Sequence, residues 1–213
     1  WMPFGNWATQ SVTAQMLTNG FLLRNESTDS DGARWQIEQR FASNSPNAIA
    51  VETRVTTDRD RQLLYLPAFT LLAGAGTHGT NKSQGLLPGL EYLENEPSSS
   101  ELDVVGNAAR RLVPDEKKVT LPLLAVAAGN HYVGLIWETQ PDLAPVFDSP
   151  DRQFHSGGHL LGLLCPGSDG LNRDEGSLLP YWPRLLRSNE TFIARCTLVA
   201  GQGDTVVPAL QHY

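Results

Sequence analysis

Apolar and polar residues alternate through much of this chain with a period of two, the pattern of half-buried strands. Over residues 33–41, Trp35, Ile37 and Gln39 share one face. In AIAVETRVT, Ile49, Val51, Thr53 and Val55 alternate in the same way. Residues 20–24 form another strand candidate, set off by NESTDSDG, a turn built from Asn, Ser, Asp and Gly. Residues 63–72 are a fuller apolar run, expected deep in a sheet. The strongest hairpin signal is VTLPLLAVAA followed by HYVGLIWE, with the turn dipeptide Gly129-Asn130 between them. Residues 159–165 and 191–199 read as further strands. Residues 178–187 contain Pro180 and Pro183 and read as an edge or bulged strand. Residues 1–20 are weakly patterned, residues 139–158 read as a long loop, and one short helix is expected around residues 107–112. Elsewhere no 3.6-residue period is sustained. About nine strands separated by Pro/Gly loops point to an all-β fold, an antiparallel β-sandwich, with residues 1–213 as a single domain.

The stretch that interrupts this pattern is SQGLLPGLEYLENEPSSS, residues 83–100. Leu86, Leu87, Leu90, Tyr92 and Leu93 are threaded among Gly85, Pro88 and Gly89. The carboxylates Glu91, Glu94 and Glu96 follow, and then Ser98, Ser99 and Ser100. It reads as a long loop rich in hydrogen-bonding groups, the place where a β scaffold commonly carries its function. The preceding AGAGTHGTNKS is Gly-rich but lacks G-K-[ST] and a following helix, which argues against a phosphate loop.

Bulk composition narrows the function classes. The chain has 213 residues, 40% of them hydrophobic, enough for a sizeable core. Its net charge of −7 and pI near 5.2 argue against nucleic acid and anionic membrane surfaces as partners. No run of eighteen apolar residues is present to span a membrane. No basic and apolar leader precedes the first strands, and the chain opens at Trp1 and stops at Tyr213 soon after a strand. A module of a longer, secreted (extracellular or periplasmic) protein is expected. Cys165 and Cys196 each end an apolar run, so neighbouring strands are expected for them, as two buried thiols or as a disulfide. N-x-S/T sequons stand at Asn25, Asn81 and Asn189 in turn-like stretches.

Four constellations carry candidate chemistry. Glu94 and Glu96 lie two apart, so an extended chain would project both from one face about 6.6 Å apart. That spacing suits two carboxylates of a glycosidase, although such a pair must flank its bond from opposite sides. Hydrogen bonding to sugar hydroxyls needs no opposed geometry. Asp148, Asp151, His155 and His159 are metal-capable residues within a short span, but Gly157-Gly158 opposes the helix that would align the two histidines. No resident cofactor is expected; a structural Ca²⁺ on the loop carboxylates is the alternative. Trp35 and Trp137 sit in strands and read as core first, ligand platform second. Tyr92 and Trp182, beside Pro or in loops, are the better stacking platforms. No G-x-S-x-G elbow occurs, which argues against a serine hydrolase.

The successive blocks PGLEYLENEPSSS, KKVTLPLLAV, VGLIWE, APVFDSP and GHLLGLLCPG resemble the β-sandwich module of large bacterial carbohydrate-active proteins. That module is similar to the galactose-mutarotase-like supersandwich, which is often followed by an (α/α) toroid. The resemblance spans roughly residues 20–200. It implies a supersandwich or jelly-roll-like fold, a poly- or oligosaccharide partner, and a catalytic domain elsewhere in the same parent chain. The matching blocks carry Glu91, Tyr92, Glu96, Ser98, Ser99 and Trp137, with His155 and Trp182 as further candidate contacts. The leading expectation is a carbohydrate-binding or accessory module that does not cleave its ligand. One rival is a hydrolase, lyase or epimerase acting at Glu91–Glu96. Another is a purely structural sandwich packed on a catalytic neighbour. The acidic balance favours neutral glycans.

Overall fold

A computed structural model describes residues 11–73, 82–96, 104–105, 110–111, 113–114, 117–148, 158–167, 178–179 and 183–213. Its strands in chain order begin with β1 (Thr13–Leu17), β2 (Gly20–Thr28), β3 (Arg34–Ser45), β4 (Ala48–Thr57), β5 (Arg61–Leu63) and β6 (Leu66–Leu72). Next come β7 (Gln84–Leu87), β8 (Glu91–Glu94), β9 (Val104–Val105), β10 (Arg110–Arg111), β11 (Val113–Pro114) and β12 (Leu123–Ala128). The last are β13 (His131–Trp137), β14 (Ala144–Asp148), β15 (Leu160–Cys165), β16 (Leu178–Leu179), β17 (Arg184–Leu186) and β18 (Thr191–Gln202), followed by the one-turn helix α1 (Val207–Leu210). A nine-stranded antiparallel sheet runs in the order β1-β2-β3-β4-β18-β13-β12-β7-β8. A three-stranded sheet, β14-β15-β6, packs against it, and β17-β5 forms a short ribbon. The fold is an all-β sandwich, as the alternation implies.

The core lies between the two sheets. Trp35, Val51, Val55, Leu124, Leu135, Trp137 and Phe192 from the large sheet meet Leu66, Phe69, Phe147, Leu161 and Leu163 from the small one. Ile37 packs against this cluster and Gln39 continues the same face, where its amide donates to Thr53 Oγ1 (3.2 Å) and to the Ala68 carbonyl (3.3 Å). A second apolar cluster sits on the opposite, outer face of the large sheet. Leu123, Ala125, Ala127, Tyr132 and Val199 are covered there by Val206 and Ala209 of the C-terminal segment. Gly134 makes room for that segment, since a Cβ at this position would lie 3.2 Å from the Ala209 Cβ.

The turns follow their residues. Gly129 takes φ +56° at the first turn position between β12 and β13, which pair from Ala128–His131 outward. At the β2–β3 turn, Asp29 accepts from the backbone N–H groups of Asp31 and Ala33, from Trp35 Nε1 (3.0 Å) and from Arg61 Nε (2.6 Å). The Arg61 guanidinium holds its carboxyl far below the usual carboxylate range, against the opposing effect of burial.

Several expectations need correcting. Residues 84–94 are not a loop. They fold as a β7–β8 hairpin on the large sheet, because Pro88 and Gly89 (φ +91°) fit the two central positions of a type II turn closed by Leu90 N–H to Leu87 O, 3.0 Å. The apolar run at 63–72 splits between β5 and β6, which join different sheets, and β6 with its Pro67 is an edge. The run at 178–187 likewise splits into β16 and β17. Residues 139–158 contain β14, and the weakly patterned start contains β1. Within residues 107–112, Arg110–Arg111 pairs as a strand with Val104–Val105 instead of opening a helix. Cys165 and Cys196 are both buried free thiols in the core, but on β15 and β18 of opposite sheets, not on neighbouring strands. Burial pushes each thiol up to about 12. Asn25 lies within β2, Asn189 at a turn with φ +62°, and Asn81 outside the described residues.

A Cβ at Gly89 would fall 1.9 Å from the Lys118 carbonyl oxygen. Gly89→Ala is therefore expected to destabilise by more than about 1 kcal/mol. Gly89→Asn, which tolerates positive φ, is expected to remain destabilised by the same collision. Denaturant midpoints of both variants check this; a wild-type midpoint for Gly89→Asn would show that conformation alone, not space, selects glycine.

Candidate functional site

The outer face of the nine-stranded sheet is built in rows, one residue from each strand, set by the register. One row runs Arg24, Glu38, Arg54 across β2, β3 and β4. The next runs Arg40, Glu52, Arg195 across β3, β4 and β18, with Glu138 just beyond β13. The third is small or apolar: Ala42, Ala50, Thr197 and Ile136. Beyond it the C-terminal segment covers the sheet. The third row is thus the floor of a trench beside a charged wall, and its Ile136 packs against the covered apolar patch.

That trench is a depression of about 350 Å³ lined by Arg40, Ala42, Ala50, Glu52, Ile136, Glu138, Arg195 and Thr197. Its floor crosses four strands, about 14 Å at the usual interstrand spacing. The wall is a network of ion pairs. Glu52 accepts from Arg54 Nε at 2.7 Å and from Arg195 Nε at 2.6 Å, and Arg195 also reaches Glu138 at 3.3 Å. Partial burial would raise the Glu52 carboxyl, but the two guanidiniums outweigh it and hold it below the usual value. A second depression of about 350 Å³ lies toward the other strand ends, among Glu26, Arg34, Gln36, Thr56, Asp58 and Asn189.

Tyr92 lies at the far edge of the same outer face. It pairs with Leu86, which packs on the outer apolar cluster. Its ring is 55% exposed, and its hydroxyl is fixed. Gln84 Nε2 donates to the Tyr92 oxygen (2.9 Å), and the Tyr92 O–H donates to Glu94 Oε1 (3.1 Å). Gln84 Oε1 in turn accepts from the Val206 N–H (3.1 Å). The hydrogen bond to the Glu94 carboxylate raises the Tyr92 phenol above its ordinary value.

Glu91 and Glu94 lie on opposite faces of β8. Glu94 stands with Tyr92 on the outer face. Glu91 alternates with Tyr92, falls on the side of buried Leu87 and Leu93, and is partly buried. Glu96 is beyond the strand, past Asn95 with φ +58°, so the same-face spacing expected for Glu94 and Glu96 is broken. Buried Lys82 donates to the Glu96 carbonyl; desolvation lowers its ammonium, opposed by Glu96 and Glu91.

Trp137 is 6% exposed, in the core, where its ring face is not offered to a ligand. Trp35 is equally buried, with its indole N–H spent on Asp29. Ser98, Ser99, Asp151, His155 and Trp182 lie outside the described residues. Asp148 and His159 are both fully buried. His159 packs against Phe147 with ring centroids 4.3 Å apart and planes tilted by 56°, and neither ring nitrogen has a hydrogen-bond partner among the described residues. No group of three or more metal-capable side chains gathers among the described residues. The trench residues were not singled out from the sequence; the only signal was charge alternating with apolar residues at 38 and 40, 52 and 54, and 195.

No protein-family model and no curated protein matches this chain. Among solved structures it is similar to the alpha-N-acetylgalactosaminidase NagBb from Bifidobacterium bifidum, with 13% identity over 90% of this chain and a TM-score of 0.48. A protein named as an aldose 1-epimerase from Escherichia coli matches at 14% identity over 90% of this chain, TM-score 0.41, with 69% of that protein covered. Another so named, from Klebsiella pneumoniae, matches at 11% over 94%, TM-score 0.48. The chain spans only 28% of the Bifidobacterium protein and 56% of the Klebsiella one. All three neighbours are named for activities on sugars. At such identities and scores the likeness settles neither an activity nor a site residue of this chain.

Buried His159 has a pH consequence. Desolvation, and secondarily Lys82, lower its pKa to about 3, against an ordinary value of 6.5. The unfolded chain takes up this proton below about 6.5 and the folded chain only near 3, so this contribution is complete above 6.5 and is lost as pH falls toward 3. The slope approaches about 1.4 kcal/mol per pH unit in that window. In unfolding midpoints measured from pH 7 to 4.5, wild type is expected to lose stability relative to His159→Phe as pH falls. Parallel curves would remove His159 from the titration.

Proposed function

We propose that this chain is a carbohydrate-binding or accessory β-sandwich module that holds a poly- or oligosaccharide on the outer face of its large sheet without cleaving it. The observation that carries this is the anchored Tyr92. Sugars offer an apolar ring face and many hydroxyls, and an exposed aromatic ring beside fixed donors and acceptors answers both. Its hydroxyl is tied on both sides by Gln84 and Glu94, so little side-chain freedom remains to be lost on binding. The trench extends the same face and has a volume within the range of ligand clefts. Cleavage at Glu91–Glu96 draws no support from Glu91 and Glu94, which lie on opposite faces of β8. The partner catalytic domain and the secreted location belong to this same reading.

Tyr92→Ala is expected to weaken binding roughly three- to tenfold, the weight of one aromatic stacking contact. Tyr92→Phe keeps the ring but frees it from its anchors, so an intermediate loss is expected. Met16→Ala, at a fully solvated edge position (79% exposed), is expected to bind like wild type. Affinity electrophoresis against neutral α- and β-glucans, xylan and mannan reads all three. Wild-type affinity in folded Tyr92→Ala would sink the assignment, and release of reducing sugar by the isolated chain would sink the non-cleaving reading.

A further inference from the structure

The charged wall of the trench is unevenly paired. Across its two rows four guanidiniums, Arg24, Arg40, Arg54 and Arg195, stand with three carboxylates, Glu38, Glu52 and Glu138. Arg24 is held by Glu38 at 2.6 Å. Arg54 and Arg195 share Glu52, and Arg195 has Glu138 as well. Arg40 is exposed and makes no ion pair or hydrogen bond among the described residues. It stands on the lip of the trench, directly opposite Glu52, whose two oxygens are already taken by the other arginines.

A planar fork of N–H donors left open at the mouth of a depression matches a carboxylate, which it can grip with two parallel hydrogen bonds. Beside it the floor of Ala42, Ala50 and Ile136 offers apolar contact for a ring, and Thr197 offers a hydroxyl. The overall charge of −7 does not decide the matter. Charges spread over the surface are screened beyond about 8 Å at physiological salt, whereas a guanidinium in contact with the ligand is not.

We propose that the trench is a saccharide subsite selecting a sugar unit that bears a carboxylate, a uronic acid, with Arg40 as the specificity-determining residue. This rests on the saccharide-binding reading and narrows its ligand class. It departs from the preference for neutral glycans that the acidic balance suggests, because the local face, not the mean charge, meets the ligand.

The test is calorimetry with oligogalacturonide, oligoglucuronan and oligomannuronate hexamers, each beside its carboxyl-reduced, neutral counterpart. For at least one pair the acidic form is expected to bind about tenfold more tightly, the usual gain of a charge-assisted contact, and less so at high salt. Arg40→Gln is expected to bring that ratio close to one while leaving binding of the reduced form in place. Arg40→Lys is expected to restore only part of it, since a point charge lacks the fork. Equal binding of acidic and reduced forms by wild type, or an unchanged ratio in Arg40→Gln, overturns the inference. So does equally tight binding of a poly-glutamate peptide, which would make the patch a general anion site. Tyr92→Ala keeps the two readings apart: loss of neutral-glycan binding with no effect of Arg40 leaves only the module reading standing. A ratio that depends on Arg40 but not on Tyr92 leaves only the trench.

Discussion

A sheet must hide whichever of its faces is apolar, and here the large sheet is apolar on different faces in different places. Strands β12 and β13 are apolar on both sides. β12 is buried at all six positions, and its two faces feed two separate clusters. The inner cluster is covered by the three-stranded sheet. Among the described residues, 203–213 cover the outer one, and Gly134 and the small Ala125 keep the surface low enough for Val206 and Ala209 to seat. Toward β2, β3 and β4 the outer face is polar and needs no cover. The trench lies at the line where the cover stops, so its position follows from the burial pattern of the sheet as a whole.

The ion pairs of that uncovered face contribute little to stability. Exposed pairs are each worth about 0–1 kcal/mol, and most of the side chains here are 26–67% exposed. Their consequence is geometric. Glu52 draws Arg54 and Arg195 in from neighbouring positions, which fixes the wall and leaves Arg40 over. The Asp29–Arg61 pair is of the other kind. Its side chains are 8% and 21% exposed, and the carboxylate also organises a turn and the indole of Trp35. That group ties the β2–β3 hairpin to the β5–β17 ribbon and closes one end of the core.

The strands with strong period-two patterning were legible in the sequence, as was the Gly129-Asn130 hairpin, because each records one face meeting one core. Strands without such a record were missed. β1 is an edge with four of its five residues exposed, so TAQML carries no alternation. β14 is buried on both faces and is short, so APVFD passed for loop. The hairpin at 84–94 was hidden because its Pro-Gly turn resembles loop punctuation. Tyr92 was legible as an exposed aromatic, but the directions of its neighbours were not. Asn95 in a left-handed conformation ends the strand's alternation before Glu96, and a strand interior puts Glu91 and Tyr92 on opposite faces. The trench was hidden for a different reason. Its residues come from four strands far apart in sequence, and only the register brings Arg40, Glu52 and Arg195 into one row.

One segment connects the two halves of this surface. Residues 203–213 cover the apolar patch beside the trench. They also reach Tyr92, because the Val206 N–H binds Gln84, which binds the Tyr92 hydroxyl. Tyr132 holds the far end of the segment through its hydroxyl and His212 Nε2, 3.0 Å apart. A change that loosened this segment would expose the apolar patch and release the Tyr92 ring together. The aromatic platform and the charged wall are therefore parts of one sheet face, with the short C-terminal strap packed on small residues of β12 and β13 between them.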